Sequence, residues 1–346
     1  MRVLVGLSGG VDSSVAAARL IEDGHEVVAV TLKLWGGAQD SGCCSVGDVE
    51  DARRAAQQLG IAHHVFNFTD DFDEHVVAPY VEAHARGRTP NPCVECNRHL
   101  KFHRLTVRAE QLGFNAVATG HHARVVGGPE GPRLARGRDR AKDQSYVLHM
   151  LTSAQLERVL LPVGELTKAE VRARAGALGL RTAAKPESQD TCFITASGGR
   201  TAFLGSRIPL RPGRLVDRDG TTVGSVAALE LVTVGQRRGL GSGGGERRFA
   251  TAIDVEAGTV TVGSADDLLT PDVVLGQLGW PQGRPLAPGD RVQVQMSAHG
   301  EPAAATWNGF DAVRFDVPQR RPAPGQTVVF YDETTGDIVV GGGVAA

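Results

Sequence analysis

The chain has 346 residues, 41% hydrophobic and 22% charged, with a formal net charge of −2. That length suggests about two to three domains, and the apolar content is enough for cores that need no covalent staples. No apolar run approaches the roughly 20 residues that cross a bilayer, the N-terminus lacks the features of a signal peptide, and five cysteines do not make a disulfide framework, so a reducing cytoplasm is the expected compartment.

The first part of the chain alternates strand and helix. "RVLVGL" reads as a buried strand, followed by a Gly-rich turn and a helix from about Ser13 to Glu22. "EVVAVTLKL" is a second strand, and "SVGDVEDARRAAQQLG" a helix with Ser45 as N-cap and Gly60 as stop. "AHHVFNF" is a third strand, and "DDFDEHVVAPYVEAHA" a helix. A cysteine-bearing loop, "TPNPCVECN", then precedes a helix from about Arg98 to Leu112 and the strand "NAVATG". This alternation predicts a Rossmann-like α/β domain with a parallel sheet, whose ligand sits at the carboxyl ends of the strands. "LTKAEVRARAGALGL" is a further helix, with Thr167 as N-cap and Glu170 completing a capping box. "KPESQDTCFI" leads out of the domain. From about Ile208 the runs become short and alternating, broken by Gly and Asp-Gly turns, with a loop at "SGGGE" and a further break near "LGWPQGRPLAPGDRV". The expected division is residues 1–205 for the α/β domain, 206–268 for a β-rich central domain and 269–346 for a C-terminal β-barrel.

Charge is uneven. Residues 1–83 carry 5 basic and 13 acidic residues, whereas residues 84–145 carry 12 basic and 5 acidic. The basic stretch is either a solvated face or a polyanion-binding patch.

"GLSGGVDSS" (residues 6–14) joins the first strand to the first helix. Glycines there let backbone N–H groups face an oxyanion, the helix N-terminus adds positive potential, and Ser8, Ser13 and Ser14 add hydroxyls. It is neither GxxxxGK[ST], since no lysine follows, nor GxGxxG.

The cysteines leave several chemistries open. Cys93 and Cys96 could form half a zinc site, but a second pair is hard to find. They could be a redox CxxC, and a helix start with Arg98 and Lys101 nearby would favour a Cys96 thiolate, although no strand precedes the pair. Cys43 and Cys44 read as inert buried residues.

The SGGxDS loop resembles the signature of the PP-loop ATP pyrophosphatases. Taken with "NPCVECN", "ATGHHAR", "KDQSYVLHML", "LPVGELTKAEVR", "KPESQDTCFI", "VTVGQRRGLG" and "PGQTVVFYD", in that order, the whole chain resembles the tRNA-specific 2-thiouridylases. That resemblance implies ATP held with Mg2+ by Gly6, Leu7, Ser8, Gly9, Gly10, Val11, Asp12 and Ser13, with Leu32 and Gly120 adding contacts, and Asp12 beside the magnesium-bound phosphates. It implies adenylation of the C2 oxygen of the wobble uridine of tRNA, followed by displacement of AMP by sulfur. Cys96 would be the nucleophile and Cys192 the persulfide carrier, the two ending as a disulfide. A cysteine desulfurase or a sulfur-carrier protein would supply the sulfur. Asn91, Pro92 and Cys93 match a base-contacting segment, and Lys142, Asp143 and Gln144 a tRNA-contacting one. For His121 and His122 the resemblance permits a role near ATP; as residues they read as satisfied loop histidines. The family's barrel usually offers an Arg-Tyr pair to tRNA; here Gln295 and Met296 stand at about that place, with Arg291 or Arg320 and Arg321 as the nearest substitutes. Two other readings remain: a PP-loop amidotransferase-type synthetase, which leaves Cys96 and Cys192 without a task, and a zinc-bound RNA-binding module without catalysis.

Overall fold

The computed structural model describes residues 1–35, 46–186, 191–194, 198–240 and 248–346. The expected Ser45 cap, Cys43, Cys44 and the 242–246 loop lie outside the described residues, as do residues 187–190 of "KPESQDTCFI".

Strands β1 (Arg2–Gly6), β2 (Glu26–Lys33), β3 (His63–Asn67) and β4 (Ala116–Ala118) are followed by a hairpin of β5 (Ala123–Val126) and β6 (Arg133–Arg136), and then by β7 (Val159–Leu160). The main sheet has the order β3-β2-β1-β4-β7, every pairing parallel. Both faces of β1 are buried, which is why "VLV" is an unbroken apolar run. Val3 and Val5 face the small residues Ala17, Ala52, Ala55 and Ala56 of α1 (Val11–Glu22) and α2 (Val46–Gln58). Leu4 faces the other way, into a core with Val117, Phe102, Leu105 and Tyr331. After β3 the chain returns to the opposite side of β1, so the sheet's switch point lies between β1 and β4, where a ligand crevice opens.

Helix boundaries differ from the sequence reading in informative ways. α1 starts at Val11 rather than Ser13, with Gly10 as an extended N-cap, so Asp12 sits in its first turn. The helix expected from Arg98 begins at Pro92: Asn91 accepts the Cys93 N–H at 3.1 Å, and proline at the first helical position loses no hydrogen bond. "TPNP" is therefore a helix start, and both cysteines lie in the helix, not in a loop before it. That helix continues over 92–111, with π-helical turns over Cys96–Arg104 that end in a Leu105 N–H to Leu100 C=O bond. A second π segment, Asp73–Val77, interrupts the helix over 69–85. The Thr167–Glu170 capping box forms as expected and opens the helix Lys168–Ala177.

The central unit pairs β8 (Gly213–Val216), β9 (Thr222–Val226), β10 (Phe249–Asp254) and β11 (Thr259–Gly263) in the order β10-β11-β8-β9, with β11 and β8 parallel. β12 (Leu269–Gly279), β13 (Arg291–Gln295), β14 (Ala303–Trp307), β15 (Ala312–Arg320), β16 (Thr327–Asp332) and β17 (Val339–Ala345) close a barrel in the order β12-β15-β14-β13-β16-β17. β16 is buried on both sides. Val328 and Phe330 enter the barrel core, whereas Val329 and Tyr331 enter the core of the α/β domain. Tyr331 Oη lies 2.9 Å from Ser145 Oγ, and Tyr146 Oη donates to Thr327 C=O at 2.6 Å. The barrel is thus docked on the α/β domain. Among the described residues no helix is long and apolar enough to cross a membrane.

Trp307 is 2% exposed and fills the barrel centre against Trp280 and Phe330, ring centroids 5.5 and 5.7 Å away. Trp307→Ala should cost about 3–5 kcal/mol of stability, measured by urea denaturation followed by far-UV circular dichroism.

Candidate active site

A cavity of about 300 Å³ opens at the switch point of the sheet. Gly6, Leu7, Ser8, Gly10, Asp12 and Ser13 line it from the first turn, Leu32 and Leu34 from the end of β2, and Thr119, Gly120 and His121 from the turn after β4. Lys101 and Leu105 line it from the helix over 92–111, and Gln144 from the segment leading into Ser145–Leu148. Of the residues expected to hold ATP, Gly9 and Val11 are not among those lining it. Val11 packs instead against the core containing Val163 and Val171. Gly9 has φ +72°, and a Cβ there would lie 2.4 Å from the Asp48 carbonyl oxygen, so glycine is required for the loop to pass α2.

The loop is braced by its own hydroxyls. Ser13 Oγ accepts the Ser8 N–H at 3.2 Å and donates to Gly10 C=O at 3.1 Å. Ser14, expected to offer a hydroxyl to the ligand, is fully buried and donates to Gly10 C=O at 2.9 Å. It does not line the cavity, because helix geometry turns its side chain back onto the preceding turn.

Asp12 is the electrostatic centre. Both its oxygens accept from Lys168 Nζ, at 2.8 and 2.7 Å, and Oδ1 lies 3.0 Å from His122 Nε2. Burial pushes the Asp12 carboxyl pKa up, but the hydrogen bonds and charges of His122 and Lys168 outweigh it and hold the group below its ordinary value of 3.8. Lys168 was missed from the sequence; it lies directly after the cap residue Thr167, and only the fold aims that helix start at Asp12. His121 is also more than a loop histidine. Burial first, then the Lys101 charge, push its pKa well below 6.5, and Thr119 Oγ1 lies 2.8 Å from its Nδ1. It faces the cavity as a neutral ring. His122 is equally buried, with no hydrogen-bond partner for Nδ1 among the described residues.

An apolar cluster adjoins the cavity through Leu32 and Leu34, which belong to both. Cys96, 6% exposed, is part of that cluster, and Cys192 packs against it. Nearly a hundred residues apart in sequence, they meet in one cluster. Phe193 anchors the Cys192 segment, its ring centroid 5.0 Å from Phe203, 5.4 Å from Tyr80, 5.6 Å from Phe72 and 6.4 Å from Trp35. Cys93 is exposed. The helix-start effect expected at Cys96 falls on Cys93 instead, since Cys96 lies beyond the first turn, where the end dipole fades. Arg98, the second expected support, pairs with Glu95 at 3.6 Å. Among the described residues no group of three or more His, Cys, Asp or Glu side chains is arranged to hold a metal ion.

Of the segment expected to contact tRNA, Asp143 accepts from Gly137 N–H at 2.9 Å and from Ser145 Oγ at 2.8 Å. Gln144 accepts the His122 N–H at 2.9 Å. Lys142 closes a short helical turn, Arg140–Lys142. Much of the basic stretch pairs within the protein: Arg104 with Asp71, Arg138 with Glu170, Arg140 with Asp337, and Arg124 with Glu165 and Asp337. In the barrel, Gln295 is 4% exposed and accepts from Arg136 Nη2 at 2.8 Å. Arg291 is forked onto Asp316 at 2.6 and 2.5 Å, and Arg320 donates to Gly235 C=O.

Two outcomes test this geometry. Because Asp12 titrates below 3.8 when folded, its contribution to stability is present above that value and is lost as pH falls through the folded pKa. The stability gap between the parent and Asp12→Asn in urea titrations should therefore be constant above the ordinary value of 3.8 and narrow as pH is lowered beneath it. A Cβ on Gly120 would lie 2.5 Å from Ser13 N and 2.7 Å from Asp12 C, both backbone atoms that cannot swing away. Gly120→Ala should lower the melting temperature measured by calorimetry, whereas Gly127→Ala, with open space around it, should not.

Residues 1–196 match the family model described as the tRNA methyl transferase HUP domain, residues 201–264 the tRNA methyl transferase PRC-barrel domain, and residues 275–345 the aminomethyltransferase beta-barrel domain. Proteins named tRNA-specific 2-thiouridylase MnmA are similar along the whole chain. That of Mycolicibacterium smegmatis is 46% identical, covering 98% of this chain and 98% of its own. That of Mycobacteroides abscessus is 47% identical, covering 99% of each. That of Chloroflexus aurantiacus is 45% identical, covering 99% of this chain and 97% of its own. With its glycine-rich-loop cavity beside a two-cysteine cluster, and with relatives of this identity from end to end, the chain belongs to the tRNA-specific 2-thiouridylase family.

Proposed function

We propose that this chain is an ATP-dependent tRNA-uridine 2-sulfurtransferase that converts the wobble uridine of tRNA to 2-thiouridine. The observation that carries the reading is the junction of the SGGVDS cavity with the apolar cluster holding both Cys96 and Cys192. Adenylation acts on the C2 oxygen and sulfur delivery on the carbon that bears it, so both sets of groups need one space, and the junction supports that reading.

The loop 6–13 binds the pyrophosphate end of ATP at the start of α1, as a Gly-rich loop at a helix start does, with Ser8, Gly10 and Ser13 on the cavity wall. Leu32 and Gly120 line the nucleotide's seat. Asp12 is the carboxylate of the described lining residues, and it would hold a magnesium ion arriving with the triphosphate, whose chemistry is to neutralise phosphate charge. The uridine C2 oxygen attacks the α-phosphorus and pyrophosphate leaves; AMP is then a far better leaving group than the carbonyl oxygen was. The outer sulfur of a Cys192 persulfide, loaded by a cysteine desulfurase or a sulfur-carrier protein, attacks C2 and expels AMP. Cys96 thiolate next attacks the Cys192 sulfur, which breaks the sulfur–sulfur bond, leaves the thiocarbonyl on the base and joins Cys96 to Cys192 as a disulfide. An external dithiol reduces that bond before the next turnover. Burial of Cys96 protects its thiol from other oxidants until the partner segment delivers sulfur.

Asn91, Pro92 and Cys93, at the exposed start of the helix, meet the target base, which leaves its stack to reach the cavity. Lys142 contacts the tRNA backbone, and the internal hydrogen bonds of Asp143 and Gln144 shape the turn that presents it. Domain limits of 1–205, 206–268 and 269–346 belong to the same reading.

Cys96→Ser and Cys192→Ser should each abolish 2-thiouridine in tRNA digests analysed by mass spectrometry, with unchanged circular dichroism. Normal thiolation by either variant would end the two-cysteine scheme. Asp12→Ala should impair ATP use while leaving tRNA affinity unchanged in filter binding, and that affinity should fall steeply with salt as phosphate counterions are released.

A further inference from the structure

The phosphate loop lacks the lysine that follows the glycines of a GxxxxGK[ST] motif. It also places a carboxylate, Asp12, in its own wall, and the two basic groups nearest that carboxylate, Lys168 and His122, are engaged with it. An incoming triphosphate therefore meets loop amides and hydroxyls, but no loop cation. Among the described residues that line the cavity, Lys101 is the one lysine or arginine. It reaches the cavity from the helix that carries Cys96, while the glycines and serines line it from the first βα turn.

The π-helical turns explain how one helix serves both places. In a π segment the hydrogen bonds run from residue i to i+5, so residues five apart stack on the same side. Cys96 and Lys101 have that separation within Cys96–Arg104. In an ordinary α-helix, residues three and four apart share a face, and Lys101 would be turned away from the side that Cys96 occupies. The π register thus points the thiol into the apolar cluster and sets the ammonium one turn on, at the wall of the adjoining cavity. His121, buried beside Lys101 and held neutral by burial and by that charge, adds no competing positive charge.

We propose that Lys101 is a catalytic residue for the adenylation step: its ammonium binds the α-phosphate of ATP and stabilises the negative charge that builds on it as the uridine oxygen attacks and pyrophosphate leaves. The inference rests on the proposed ATP-dependent activity. A preorganised cation at a transferring phosphoryl group acts mainly on the transition state, where its removal typically costs about a hundred- to thousandfold in rate. Lys101 keeps its charge throughout, and the proton on the uridine leaves to solvent.

The test measures pyrophosphate release from ATP in the presence of tRNA, with no sulfur donor, for the parent, Lys101→Met and Lys101→Arg. Calorimetric titration with ATP and thermal melting are run on each. Lys101→Met should lower the single-turnover rate constant of pyrophosphate release about a hundredfold or more, change ATP affinity far less, and keep the parental melting temperature; Lys101→Arg should recover part of the rate. The pH profile of Cys96 alkylation by iodoacetamide is followed by peptide mass spectrometry in Lys101→Met and the parent. A parental single-turnover rate in Lys101→Met overturns the proposal, as does loss confined to ATP affinity. A shifted alkylation profile with an unchanged adenylation rate also overturns it, and assigns Lys101 to the thiol instead. If the parent itself releases no pyrophosphate with tRNA, the proposed activity fails, and the role of Lys101 falls with it. A parent that is active beside an equally active Lys101→Met removes only the role of Lys101.

Discussion

Everything at the cavity depends on the ionic knot around Asp12. Its carboxylate is held by Lys168 from the start of one helix and by His122 from the turn after β4, while Asp12 itself belongs to the first turn of α1. These segments come from distant parts of the chain, and the knot draws them to the switch point of the sheet. Removing one partner from a partly buried pair strands the other charge, which is the costly way to break such a site. The close approach of Gly120 to the Asp12–Ser13 backbone is the steric counterpart of the same constraint.

A second dependence runs through β16. Its alternate residues serve two cores, so the barrel cannot be moved without opening the α/β domain. Tyr331 reaches Ser145, Ser145 holds Asp143, and the neighbouring Gln144 holds the backbone of His122 and lines the cavity. The barrel therefore braces one wall of the site from behind. The segment 140–148 is consequently a shared part: one face is fixed by the barrel, and the other borders the cavity.

Charge counting overstated the free basic surface. The excess of arginine in residues 84–145 is real, but many of these side chains bind carboxylates from elsewhere, such as Asp71, Glu170 and Asp337. A linear count cannot see partners brought in by folding. The same limit applies to Arg291 and Arg320, which looked available in the sequence and are engaged with Asp316 and with Gly235 C=O.

The sequence by itself determined the strand–helix alternation, the glycine-rich turn between the first strand and the first helix, the capping box at Thr167 and the two β units, because local periodicity, glycine placement and capping chemistry are properties of short segments. It also marked Cys96 and Cys192, through motifs that stand in a fixed order along the chain. In the sequence "TPNPCVECN" reads as a loop before a helix from about Arg98, whereas the helix starts at Pro92 with Asn91 as its cap. Only the tertiary structure decided that Lys168 and His122 would meet Asp12, that π-helical turns would carry Cys96 and Lys101 to neighbouring walls, and that Phe193 would dock its segment among Phe72, Tyr80 and Phe203. Those are contacts between segments far apart in the chain, set by the order of strands in the sheet and by what packs across it, and no short stretch of residues encodes them.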